Sequence, residues 1–245
     1  MQSRQTNMPV DTPEHEEEIS LPPWPLRSRA LLEITAAYAG LVIVGLVLGW
    51  ALLGPLAGSG LTSTDDSVAL WLEGVRTDQW NTLTDIGSAF SNTSTIIMAL
   101  VILISSFVLF WRRWREALTL GIALLLESSV FLTVSLTVGR DRPPVQPLDV
   151  SPPTASFPSG HTGAAFAFYI AVAVIVFWNT TKPLPRALAV AAATIVPTIV
   201  AASRMYRGMH FLSDIVVGAL LGVACVLISI GIVVRALRRR GRVAE

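Results

Sequence analysis

The chain has 245 residues, of which 52% are hydrophobic and 14% charged, with a mean hydropathy of +0.60. That balance is too apolar for an ordinary soluble domain and predicts an integral membrane protein. Eighteen Lys and Arg oppose 17 Asp and Glu, so net charge identifies no partner, and the only cysteine, Cys225, lies in an apolar run and has no partner for an intrachain disulfide.

Residues 1–28 are polar and Pro-rich, with an acidic cluster of Glu14, Glu16, Glu17 and Glu18 around a solvated His15. They lack a charged stretch leading into a short apolar core, so they predict a disordered tail, not a cleaved signal peptide. Six apolar runs follow, each near the length of about 20 residues that a helix needs to cross a membrane. They span roughly 33–56, 94–111, 116–137, 161–179, 185–203 and 210–234. Glu33 sits at the inner end of the first and reads as interfacial. The 57–93 connection carries Leu70, Trp71, Val75, Trp80, Leu83 and Ile86 among polar residues, which predicts short amphipathic helices on the membrane or a packing cap. Arg112–Arg115 mark a tight turn between the second and third runs. Glu127 lies mid-span in the third and is expected to make an interhelical hydrogen bond. Gly218 and Gly222 continue the Asp214 face of the sixth at intervals of four, which suits close helix packing in the bundle, with a dimer seam as the other reading. The boundaries expected are a tail at 1–28, one membrane domain at 29–235 and a basic tail at 236–245.

Basic residues set the orientation. Arg27 and Arg29, then Arg112, Arg113 and Arg115, then Lys182 and Arg186, and finally Arg235, Arg238, Arg239, Arg240 and Arg242 all fall on one side of six alternating spans. Positive residues favour the cytoplasm, so both termini are expected inside. The 138–160 loop and the 203–210 turn then face out.

That outer side holds the reactive residues. Arg142 follows the third span, His161 opens the fourth after Pro158-Ser159-Gly160, and Ser203, Arg204, His210 and Asp214 surround the turn between the fifth and sixth. A lone membrane arginine or histidine is commonly a snorkelling anchor, but several on one side from three segments predict a shared site. On a helix starting near His210, Asp214 at i+4 shares its face, accepts from one imidazole nitrogen and leaves the other free to attack phosphorus. His161 stands at a helix start, where Ser159 and free amides favour an anion, and is placed to protonate a leaving oxygen. Arg142 and Arg204 offer bidentate donors to phosphoryl oxygens. Arg207 reads as an interfacial anchor or a headgroup contact.

At these residues the chain resembles the type 2 phosphatidic acid phosphatase family, whose motifs are KxxxxxxRP, PSGH and SRxxxxxHxxxD. The second is present at Pro158–His161 and the third at Ser203, Arg204, His210 and Asp214. The resemblance covers residues 36–232 and implies an all-helical six-span membrane bundle. It also implies metal-independent removal of phosphate from a lipid phosphate or diphosphate, with no cofactor. His210 would carry a phosphohistidine, Asp214 would orient it, and His161 would act as acid and then base. Arg142, Arg204, Ser159 and Gly160 would bind phosphate.

The first motif departs from the family. Ser135 stands where lysine is expected, so one phosphate-binding cation is missing. Arg140 is the substitute at hand, although two positions from Arg142 in an extended segment it points the other way. Asp65 and Asp66 read as isolated loop residues, and nothing clusters with metal-ligand spacing. The expected partners are a lipid phosphate and membrane lipids, not nucleic acid, with the protein a monomer or homodimer. An outward-facing site in a bacterial-type plasma-membrane protein suits undecaprenyl diphosphate, with phosphatidic acid and phosphatidylglycerol phosphate also open. Two alternatives are a phosphotransferase passing the group to a sugar or lipid, and a weakly active homologue that only binds lipid phosphate.

Overall fold

The computed structural model describes residues 28–241; residues 1–27 of the expected N-terminal tail and residues 242–245 lie outside them. The described chain is helical: α1 (Ser28–Leu53), α2 (Gly60–Gly74), α3 (Asp78–Ala89), α4 (Thr93–Ser105) with a π-helical turn (Ser106–Phe110), α5 (Trp114–Val138), α6 (Gly160–Asn179), α7 (Pro183–Tyr206) and α8 (Leu212–Gly241). Six segments are long and apolar enough to cross a membrane: 29–53, 78–110, 114–138, 160–179, 183–206 and 212–238. This is the expected six-span bundle, with two differences in extent. The second span is prolonged through α3, and α8 runs on to Gly241, so much of the expected C-terminal tail is helix.

The centre of the bundle is α5, α6 and α8 packed on one another, with α1 and α4 against α5 and α7 against α6. Leu120, Ala123 and Leu124 of α5 meet Ala167, Phe168 and Ala171 of α6 and Val226 of α8 in one buried cluster. A second cluster joins Val130, Val134 and Val138 of α5 to Phe157, Leu221 and Cys225. Close approach of α8 to α6 depends on Gly218 and Gly222, because a Cβ on either would stand 2.5 or 2.4 Å from the Ser159 or Gly163 carbonyl oxygen. The face predicted for packing is thus used within the chain. Between the start of α1 and the end of α8, Glu33 accepts hydrogen bonds from Arg235.

Residues 57–93 do form the predicted short helices. Their orientation is that of elements in contact with lipid: Leu70, Trp71, Trp80, Leu83 and Ile86 are exposed, whereas Asp65, Thr84, Gly87 and Ser88 face the bundle. Apolar residues outward and small or polar residues inward suit an apolar surrounding. Thr77 caps α3 by accepting from the Trp80 amide, and α3 lies along α7 closely enough that a Cβ on Gly87 would stand 2.4 Å from Ser203 Oγ.

Candidate active site

Four local devices bring the motif residues together. Gly139 ends α5 in the left-handed region at φ 66°, its amide donating to the Ser135 carbonyl, and releases the extended segment that carries Arg140 and Arg142. Gly208, at φ 70°, turns the chain between α7 and α8 where a Cβ would meet Val145 and Arg76 at 2.8 and 2.9 Å. Asp214, in the first turn of α8, reaches back to accept from the Phe211 amide at 2.9 Å, one half of a capping box. The Ser159 amide donates to the Asp214 carbonyl at 3.1 Å, which joins the start of α6 to the start of α8.

A cavity of about 390 Å³ opens where these segments meet. Arg142, Gly160, His161, Arg204 and His210 all line it, together with Thr154. Its remaining wall is largely apolar, with Ile96, Ile97, Phe131 and Leu132 from α4 and α5, and Glu127 and Ser128 also reach it. Ile97, Ser128 and Leu132 are exposed on the outside of the bundle, so the cavity has a side mouth between α4 and α5. Ser159 is buried beside the cavity and not in its wall; its hydroxyl pairs with Thr162 Oγ1 at 2.9 Å. Gly160 is needed where it stands, since a Cβ there would lie 2.8 Å from the Phe131 ring.

His210 is buried and is oriented differently from the sequence expectation. Its Nδ1 lies 2.7 Å from the Ser156 carbonyl oxygen and 4.0 Å from Asp214 Oδ2. A carbonyl only accepts, so Nδ1 carries the proton and the Nε2 lone pair is free. Asp214 acts one step away: its Oδ2 accepts from the Ser156 hydroxyl and so fixes the residue that holds the imidazole. The reason is local. Helix α8 begins at Leu212, so His210 precedes it and the i, i+4 face relation does not apply. Burial, and then the Arg204 and Arg142 charges, push His210 well below its ordinary pKa, so it is neutral at pH 7.

The cations divide sharply. Arg142 donates only to carbonyl oxygens, Met209 at 2.6 Å and Thr154 at 3.1 Å. Its pKa is lowered, by burial first, with a partly opposing pull from Asp214. Arg204 donates through Nη1 to Ser88 at 3.0 Å and Asp149 at 2.8 Å, while its buried Nε has no partner. Asp149 is also held by Arg207. Burial alone would raise the Asp149 pKa, but the Arg207 hydrogen bond and the Arg204 and Arg207 charges lower it on balance. Arg207, expected as an anchor, is buried and bound to Asp149, Asp85 and the Asn81 carbonyl.

Arg140, expected as the substitute for the missing phosphate cation, does not line the cavity. It is buried behind the cavity, 2.5 Å from Asp214 Oδ1 and 2.9 Å from Asp65 Oδ2, over the face of Phe211. Asp65, read as an isolated loop residue, is a buried α2 residue whose oxygens also take the Ser213 amide and hydroxyl. Ser135 is buried as well, its hydroxyl 3.3 Å from the Ala155 carbonyl oxygen. Sequence reasoning missed Ser156, Asp149 and the Asp65 pairing. Asp149 had one usable signal, an acid within a Pro-rich stretch leading to Pro158–His161.

The PAP2 superfamily model matches residues 116–238. Phosphatidylglycerophosphatase B of Bacillus subtilis (strain 168) is 27% identical over 157 residues, 62% of this chain and 70% of that protein. In fold, the chain is similar to the crystal structure of a transmembrane PAP2 type phosphatidylglycerolphosphate phosphatase from Bacillus subtilis, with a TM-score of 0.65 and 22% identity over 79% of this chain and 94% of that one. It is also similar to LpxE of Aquifex aeolicus, with a TM-score of 0.54 and 20% identity over 67% and 93% of the two chains. The helical bundle, the motif residues gathered on one cavity and a family match across half of the sequence agree, and this chain belongs to the PAP2 superfamily.

Proposed function

We propose that this protein hydrolyses a lipid phosphate or diphosphate through a phosphohistidine at His210. The observation that carries the reading is one cavity lined by two arginines, two histidines and an apolar wall that opens between α4 and α5. Arg142 has no carboxylate partner within hydrogen-bonding reach, and Arg204 keeps a buried Nε–H without an acceptor, so both have capacity for phosphoryl oxygens. Aromatic and aliphatic residues beside them suit the chain of a lipid.

In the reaction, His210 Nε2 attacks phosphorus as the bond to the leaving oxygen breaks. His161 gives that oxygen a proton, and Arg142 and Arg204 stabilise the charge on the other phosphoryl oxygens. His161 then takes a proton from water, the resulting hydroxide attacks phosphorus, and the P–N bond breaks to release inorganic phosphate and restore His210. Asp214 serves by holding Ser156, and Ser159 and Gly160 by opening α6 against the cavity. The arrangement of basic loops supports a reading in which both termini are cytoplasmic and the cavity lies at the outer face. Substrates in scope are phosphatidic acid, phosphatidylglycerol phosphate and undecaprenyl diphosphate.

The test is phosphate release from a panel of these lipids in excess chelator, with His210→Ala alongside. Wild-type turnover in chelator and its loss in the variant are expected. Equal turnover by His210→Ala, or complete dependence on added magnesium, contradicts the mechanism.

A further inference from the structure

Glu127 is the one carboxyl in the wall of the cavity, and the reaction above does not use it. It is 1% exposed. Oε2 receives only a 3.3 Å hydrogen bond from neighbouring Ser128, and buried Oε1 has no partner. The expected interhelical hydrogen bond is therefore not made. Space for the group is built into the facing helix: a Cβ on Gly163 would stand 2.3 Å from Oε1. Gly163 is two residues beyond His161, so Glu127 lies next to the first turn of α6, with Phe131 and Leu132 one turn along its own helix.

A buried carboxyl in the wall of the cavity, with one oxygen that has no partner, is suited to recognition, because an occupant that cannot hydrogen-bond leaves it unpaired. We infer that Glu127, with Ser128, forms a polar subsite that hydrogen-bonds an ester carbonyl or hydroxyl close to the phosphate, so that the site selects glycerol-based lipid phosphates over isoprenyl ones. The inference rests on the cavity being the lipid phosphate site and adds what distinguishes the chains that enter it. A hydrocarbon isoprenyl chain offers Oε1 nothing, whereas an acylglycerol presents carbonyl acceptors to a protonated carboxyl and a lysolipid hydroxyl satisfies either protonation state. Glu127 is thus a specificity-determining residue, separate from the groups that touch phosphorus.

The experiment compares diester phosphatidate, its diether analogue and farnesyl phosphate on full-length protein in detergent. kcat/KM is measured for wild type, Glu127→Gln, Glu127→Leu and Glu127→Met. Wild type should prefer the diester over both others. In Leu and Met the diester-to-farnesyl ratio should fall about tenfold and the diester-to-diether preference should vanish, while Gln, which keeps a donor, should retain most of both. Two apolar variants guard against one failing to fold, and melting temperatures verify each. Equal loss on all three lipids, or wild-type ratios in Leu and Met, overturns the subsite. The same lipids are also ranked by the thermal shift they give with His210→Ala. A diester preference there that depends on Glu127, without wild-type turnover of any lipid, would retain the subsite and reject the phosphatase reading. Turnover with ratios indifferent to Glu127 would do the reverse.

Discussion

Arg142 and Arg140 stand two residues apart on one extended segment and face opposite surroundings. Arg142 points to the cavity and donates to two carbonyl oxygens, with no carboxylate among the described residues in hydrogen-bonding reach. Arg140 points behind it into a buried cluster where Asp65 and Asp214 occupy both its terminal nitrogens. The cavity side keeps binding capacity in reserve and the rear cluster spends all of its own. Unsatisfied cations mark where an anion is handled, and satisfied ones mark what holds the machinery still. The rear cluster also links α2, the Arg140 segment and α8, so the outer helices are tied to the residue that fixes Ser156 and, through it, His210.

The contrast is broken most forcefully from the cavity side. Arg142→Ala and Arg204→Ala should each lower kcat by about 10²- to 10³-fold, the typical cost of removing a group that stabilises transition-state charge. Melting temperature should move little for Arg142→Ala, which severs no ion pair. Equal losses of stability and rate would erase the distinction between the two regions. Arg140→Ala should do the opposite, costing about 3–5 kcal/mol of stability because two buried carboxylates lose their partner. Denaturation in detergent reads this, and adding Asp65→Asn to the same chain should recover part of the loss.

Smaller effects sharpen the boundary. Asp149→Asn should strengthen inhibition by inorganic phosphate about threefold to tenfold, since Asp149 occupies Arg204 Nη1 and a neutral amide competes less with an anion. Because Asp149 is held below the usual carboxylate range, its ion pairs persist as pH falls through the ordinary value and are lost only lower, so this inhibition difference should survive mild acid. The pH profile of kcat/KM tests His210. Its pKa is depressed, so the neutral, nucleophilic form persists as pH falls through 6.5 and is lost only below it. After correction for ionisation of the substrate, an acid limb centred at the ordinary histidine value would contradict the burial and charge environment described.

Much of this was readable from residues alone. Apolar length located the six spans, and motif spacing selected Arg142, Gly160, His161, Arg204 and His210, which do line one cavity. The alternation of an extended segment also indicated that Arg140 would turn away from Arg142. What it turned toward was not readable, because Asp65 lies 75 residues upstream and only packing of α2 against the start of α8 brings them together. The His210–Asp214 relation failed for a local reason, a helix that starts two residues later than the spacing argument required. Glu127 was visible as an ion out of place in an apolar run, but whether its carboxyl had a partner depended on which residue of α6 faced it, and that residue is a glycine.

In the proposed reaction the cavity transfers phosphate through His210 while the cluster behind it only supports. The most direct test is to quench the protein during turnover of a lipid phosphate labelled with radioactive phosphorus and to map the label. An acid-labile, base-stable phosphoryl group on His210 is expected, absent from His210→Ala and retained at a reduced level in Arg142→Ala. Label on another residue, or undiminished turnover with no covalent label in rapid-quench samples, would contradict it.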